Sequence, residues 1–322
     1  MAIFITSIQS VLAIVIMIAV GYITQGLGWF KESFSGSISK IIMKVALPCS
    51  IFVAMLKYFH PEQLANLSTG LIYVVLAILL GYVVSWIEVK LFRVKKGRRG
   101  LMMTGINGAN TVFIGMPLNI ALFGEISVPY LLVYYIVNTI IIWTLGVWVI
   151  AADDPTAKDG SKAKFDWHHL IPAPLWGFIV AIPFLYIPWL QEHLLVNFVQ
   201  TTLTDLGALV TPLALIYIGI MLRSFGLKNM HFDKDVILTL VGRFVISPLI
   251  MAAIIFVGFK VGVSMVPTFS KTLIVQAATP SLAVLPILAQ TYHGDVKFAT
   301  NIVVSTSVLF IIVIPIIMLI MG

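Results

Sequence analysis

The chain has 322 residues, 60% of them hydrophobic and only 10% charged, with a mean hydropathy of +1.06 and a formal net charge of +7. Soluble domains carry nearer a quarter charged residues, so a chain this long has too little polar area to cover a water-exposed surface. A soluble enzyme is excluded and a polytopic membrane protein is specified; the basic residues lie in short loops between apolar runs, a topology signal rather than a nucleic-acid footprint.

About 20 apolar residues cross the hydrocarbon core as one helix. That template predicts ten segments, near residues 7–28, 37–56, 68–91, 101–122, 127–150, 170–189, 204–222, 236–258, 271–291 and 297–320. The first lacks a basic leading region and reads as a retained helix, not a cleaved signal. Cys49, the single cysteine, sits in an apolar run and offers no disulfide framework or cysteine-based metal site. The longest polar connection, DDPTAKDGSKAKFDWHH from Asp153 to His169, falls at the midpoint. It divides the chain into a first five-helix half (1–152), a short linker (153–169) and a second half (170–322) that enters the membrane in the opposite sense.

Lys and Arg orient these segments. One set of loops holds Lys31, Lys90, Arg93, Lys95, Lys96, Arg98, Arg99, Lys158, Lys162, Lys164, Arg223, Lys228, Lys234 and Lys297, and the other only Lys57, Lys260 and Lys271. The bias places the first set and the linker in the cytoplasm and both termini outside.

The fourth segment runs from Arg99 through NGANTVFIGMP to Gly124-Glu125, and the ninth from Lys271 through AATPSLAVLP to Gly294-Asp295. Each has a basic start, a polar Gly/Pro-rich centre and a Gly-acidic finish. Segments two and seven share a central proline, Pro48 and Pro212. Segments five and ten each carry polar residues mid-run, Asn138 and Ser305-Thr306. An odd helix count with repetition predicts inverted-topology repeats, an architecture of secondary transporters.

Proline removes a helix donor and glycine loosens the backbone, and the freed groups must be buried in protein or line a wet cavity. Two such interruptions crossing near the midplane would offer half-helix N-termini to a carboxylate, with Asn107, Gly108, Asn110, Thr111, Thr279 and Ser281 adding neutral hydrogen bonds. The competing role for these small polar residues is helix–helix packing. Arg243, two turns into segment eight, either snorkels to the interface or faces the cavity and attracts an anion. No carboxylate falls at the centre of a segment, and all six histidines (His60, His168, His169, His193, His231 and His293) map to loops or helix ends. No cofactor, metal or enzyme motif is expected.

NTVFIGMP, Asn110 to Pro117, resembles the fourth-helix signature of the auxin efflux carrier family, which comprises the plant PIN carriers and many bacterial permeases. VALPCSIF in segment two, NTIIIWTL from Asn138, ATPSLAVLPILAQTY in segment nine and STSVLFIIVIP in segment ten extend the resemblance through most of the chain. The short linker is similar to the bacterial branch. The resemblance implies an all-α fold of two inverted five-helix repeats. Segments four and nine would be unwound at crossing prolines, Pro117 and Pro286, with Pro280 the rival to Pro286. Segments one, two, six and seven would form a scaffold, often homodimeric, and the rest a transport domain moving as an elevator. It further implies that Asn110 binds a substrate carboxylate with Asn138 flanking it, and that Thr279, Ser281, Leu282 and Ser305 contribute from the second half. The expected substrate is a small carboxylate in a cell-membrane permease: malate first, with malate/lactate exchange as a mode. The alternatives are a malonate or other carboxylate symporter coupled to sodium or protons, and an exporter of auxin-like aromatic carboxylates.

Overall fold

A computed structural model describes residues 2–58, 64–156, 173–226, 230–263 and 265–321. Most of the linker, with Lys158, Lys162, Lys164, His168 and His169, lies outside the described residues, as do His60 and Lys228.

Among the described residues the regular elements are all helices. It runs through α1 (Ala2–Gly26), α2 (Glu32–Ile41), α3 (Leu47–Tyr58), α4 (Leu64–Leu91), α5 (Arg99–Asn107), α6 (Met116–Phe123), α7 (Val128–Ile141) and α8 (Val147–Ala152). After the linker come α9 (Ala173–Tyr186), α10 (Pro188–Leu194), α11 (Asn197–Ala208), α12 (Val210–Phe225), α13 (Lys234–Val241), α14 (Ser247–Lys260), α15 (Pro267–Ala277), α16 (Leu285–Thr291) and α17 (Val296–Ile320). Helices overlie every apolar segment of the sequence. Six continuous runs, Phe34–Lys57, Thr69–Leu91, Glu125–Ala152, Asn197–Ser224, Lys234–Lys260 and Val296–Ile320, are long and apolar enough to cross a membrane. Val15–Gly26, Thr111–Phe123 and Trp176–Tyr186 are shorter apolar helices.

Proline explains where the long runs change pitch. Five-residue π-turns occupy Ile42–Ala46, Thr111–Gly115 and Gly242–Ile246, and Pro48, Pro117 and Pro248 each follow two residues later. A proline ring clashes with the carbonyl four residues back, here Lys44, Phe113 and Phe244, which all lie inside the π-turn. The wider π ring moves that carbonyl aside, so α2–α3 and α13–α14 continue through their prolines as single rods. A fourth π-turn, Ile142–Gly146, has no proline; its Gly146 packs against the side chains of Tyr82 and Thr104.

The chain divides into two compact units. The first comprises Met1–Gly70, Val112–Val133 and Ile171–Ser224. Within it α1 crosses α12 at backbone contact: a Cβ on Gly21 would lie 2.1 Å from the Ile216 carbonyl oxygen, and one on Gly219 2.0 Å from that of Ile18. Small residues are what let membrane helices approach this closely. α3 packs on α9, where Phe52 meets Phe184 edge-on at 5.1 Å, and Phe113 stacks on Tyr217 at 4.9 Å.

The second unit comprises Leu71–Thr111, Tyr134–Leu170 and Phe225–Gly322. At one end of it, Arg98 ties three helix entries together. Its Nη1 donates to Asp233 at 2.7 Å and Asp235 at 3.3 Å, and its Nε to Asp295 at 2.7 Å. Asp233 caps α13 by accepting from the Val236 amide at 2.9 Å, and Asp295 caps α17 by accepting from the Phe298 amide at 3.0 Å. Asp153 caps α5 from outside, accepting from the Arg99 and Gly100 amides at 2.7 and 3.2 Å. Burial raises the Asp153 carboxyl above its ordinary pKa despite those bonds. Burial also works against Asp233, yet the Val236 N–H and the Arg98 guanidinium together hold its pKa below the ordinary value.

Candidate functional site

α5 ends at Asn107, and the chain stays non-helical until the π-turn that opens at Thr111. α15 ends at Ala277, and residues 278–284 are non-helical before α16. The two breaks meet within the second unit and pair with each other. The Asn110 amide donates to the Pro280 carbonyl at 2.8 Å, and the Leu282 amide to the Gly108 carbonyl at 3.0 Å. Ala109 and Ser281 face each other as an antiparallel bridge between those bonds. The backbone groups released by both breaks thus satisfy one another, as burial requires.

That pattern makes Ala109–Ser281 a non-hydrogen-bonded pair, whose own peptide groups point outward, and side chains meet them. Asn138, on α7, accepts from the Ala109 amide at 3.0 Å and donates to the Ala109 carbonyl at 3.1 Å, so its amide stands in for a third strand. Thr306, on α17, accepts from the Ser281 amide at 3.1 Å through Oγ1. The Ser281 hydroxyl donates to the Gly105 carbonyl at 2.7 Å, closing the crossover onto α5.

Arg243 lies beneath both breaks with 0% exposure. Its Nε donates to the Thr279 carbonyl at 2.5 Å, Nη1 to the Ile106 carbonyl at 2.8 Å, and Nη2 to the Gln276 carbonyl at 3.2 Å and the Thr279 hydroxyl at 3.4 Å. The Tyr134 hydroxyl stands beside the guanidinium. These carbonyls belong to the C-terminal ends of α5 and α15, where the helix dipole is negative and a cation is favoured. Arg243 therefore neither snorkels nor opens its donors to a cavity; it fastens the two C-termini together.

The other sequence-nominated residues divide in two groups. Gly108, Asn110, Thr279, Pro280, Ser281, Leu282 and Asn138 are brought together at the crossover, with Thr111 opening the next helical turn. Asn110 is buried, at 7% exposure. Asn107 turns away: its Nδ2 donates to Ser85 Oγ at 3.0 Å and the Met103 carbonyl at 2.8 Å. Gly81 makes room for it, since a Cβ there would sit 2.0 Å from Asn107 Oδ1. Ser305 also turns away, donating to Asn301 Oδ1 at 3.3 Å; its neighbour Thr306 reaches the crossover instead. Of the three prolines, only Pro280 lies in the paired stretch. Pro286 sits in the first turn of α16, where a missing N–H is harmless, and Pro117 lies within the helical run that opens at Thr111, accommodated by its π-turn.

The sequence reading marked Thr306 as a mid-run polar residue without nominating it for the site, and passed over Tyr134 and Gln276. Gln276 is fully buried, with neither side-chain amide atom hydrogen-bonded, and the Thr272 hydroxyl one turn earlier is likewise unpaired. Polar residues inside an apolar segment were the available signal, and Gln276 carries it. A cavity of about 550 Å³ opens at the Arg98 end, lined by Arg98, His231, Asp233, Lys297 and Asn301 among others, and shares no lining residue with the crossover.

The profile of the family described as membrane transport protein matches residues 6–318. An uncharacterized transporter of Methanothermobacter thermautotrophicus is 22% identical over 316 residues, covering 97% of this chain and 98% of the relative. An uncharacterized transporter of Methanocaldococcus jannaschii is 24% identical over 305 residues, covering 92% and 93%. A helical chain with several membrane-length apolar helices, matched over nearly its whole length, belongs to the membrane transport protein family of auxin efflux carrier-like proteins, and is a transporter rather than an enzyme.

Proposed function

We propose that the protein is a multi-pass cell-membrane carrier of a small organic anion, with malate the first substrate to test and malate/lactate exchange its mode. The substrate carboxylate binds beside Asn110 at the α5 break, where Thr111 opens the next helical turn and the helix dipole is positive. The observation that carries this reading is the allocation of the broken ends. Arg243 occupies the two C-terminal ends, so the α5 break keeps its electropositive N-terminal end for an anion.

Transport is by an elevator, in which the unit holding the crossover moves substrate across the membrane. The family resemblance supports this, as does the separation of the chain into two compact units. The inverted repeat is supported by Asn138 and Thr306, which stand mid-run in the fifth and tenth helical segments and meet the two arms of the crossover. A homodimer with both termini outside completes the reading.

The test is uptake of labelled malate by proteoliposomes, with and without unlabelled malate inside. A carrier shows faster uptake with internal substrate, and Asn110→Ala raises the apparent KM at least tenfold. Unchanged uptake and affinity in Asn110→Ala would remove Asn110 from the site.

A further inference from the structure

A guanidinium in the middle of a membrane-spanning helix is costly, and it keeps its proton. Arg243 lies nine residues beyond Lys234, about 14 Å along the run at 1.5 Å per residue, within the Lys234–Lys260 span. All its recorded partners are neutral: carbonyls, the Thr279 hydroxyl and Tyr134. Among the described residues no carboxylate forms an ion pair with it. The other described Asp, Glu, Lys, Arg and His residues of the second unit lie near helix ends or in connections. The dipoles of the half-helices stabilise the guanidinium locally but add no net charge, since each is a pair of equal and opposite partial charges. The second unit therefore holds one uncancelled positive charge at the depth of the crossover.

We propose that Arg243 is the fixed countercharge of the transported anion. Leaving aside the charged groups at helix ends and in connections, the mobile unit carries +1 at the depth of the crossover when empty, zero with a monocarboxylate bound, and −1 with a fully ionised dicarboxylate. Arg243 acts through charge and position alone, since its donors are spent on the backbone, and the substrate need not touch it. The consequence is electrical. A monocarboxylate cancels the charge at the depth of the crossover, and the voltage acts on the return of the empty unit. A dicarboxylate places one net charge on the loaded step itself. This rests on the carrier reading above.

The experiment is equilibrium exchange in proteoliposomes at neutral pH, with saturating lactate or saturating malate on both sides. The membrane potential is set to zero, +100 mV or −100 mV with potassium and valinomycin. Only the loaded unit moves in this mode, and protein orientation does not matter. A full charge at 100 mV corresponds to about 2.3 kcal/mol. Across a symmetric barrier, one net charge on the loaded unit speeds one direction and slows the other, cutting exchange about three- to fourfold at either polarity.

Wild-type lactate exchange is expected to be flat with voltage, and wild-type malate exchange to fall three- to fourfold at both polarities. Arg243→Gln shifts each substrate by one charge: lactate exchange falls three- to fourfold, and malate exchange by roughly twenty-five-fold. Arg243→Lys restores a flat lactate response at whatever rate it supports. Wild-type lactate exchange that slows like malate exchange, or malate exchange that is flat, overturns the countercharge even if Arg243→Gln does not fold. Absence of exchange with either anion refutes the carrier reading, and the countercharge falls with it.

Discussion

Replacing Asn138 by leucine tests the physical account of the crossover most directly. Leucine matches asparagine in shape but can neither donate nor accept, so the Ala109 N–H and C=O lose bonds of 3.0 and 3.1 Å. Both groups point out of the paired stretch into protein, since the adjacent bonds belong to Asn110 and Leu282. Leaving a buried polar group unpaired costs about 1–3 kcal/mol, so the two together weaken the closed crossover by about 2–6 kcal/mol. Even the lower figure makes local opening about thirtyfold easier, at about 1.4 kcal/mol per factor of ten. The assay is hydrogen exchange by mass spectrometry on peptides covering 107–112 and 279–283. Exchange should accelerate at least thirtyfold in both, because the two arms protect each other. Asn138→Ala should show a smaller change, since the space it leaves admits water that re-bonds Ala109. Unaltered exchange in Asn138→Leu would refute the claim that this side chain holds the break together.

Gly219→Val should drive α1 and α12 apart, because its Cβ would stand 2.0 Å from the Ile18 carbonyl oxygen. We expect a loss of about 1–3 kcal/mol or more, read as a lower unfolding midpoint in detergent. Arg98→Ala should loosen the first turns of α13 and α17 while the crossover amides keep their protection, seen as faster exchange confined to peptides near Asp233 and Asp295. Asp233 carries a folded-state pKa below its ordinary 3.8. Its contribution to stability is therefore complete above that value and lost as pH falls through the lower folded-state value. A denaturation series from neutral pH downward should lose this increment in wild type but not in Asp233→Asn. In a thermal-shift screen, malate or a related small carboxylate should stabilise wild type, since a ligand that binds only the native state raises apparent stability, and should do so much less for Asn110→Ala.

The amino-acid sequence by itself determined that this chain is a helical membrane protein broken in two places. Hydropathy reports burial in lipid at every position, and Gly108, Pro280 and their neighbours are local breakers whose effect needs no distant partner. It also marked the polar residues that an apolar segment keeps at a cost. Only the tertiary structure decided what each does. Asn107 and Asn110 are three residues apart in one polar stretch, yet Asn107 turns to Ser85 on α4 while Asn110 joins the crossover. Ser305 and Thr306 are adjacent, and the helical twist between neighbours sends only Thr306 to the Ser281 amide. Arg243 was visible as a charge inside a span, with snorkelling and an open anion site as its alternatives. Its actual place, under two helix C-termini, depends on carbonyls at Ile106, Gln276 and Thr279 that converge only when distant parts of the chain pack together. Side-chain type and local periodicity carry no information about such convergence; it is a property of the folded backbone.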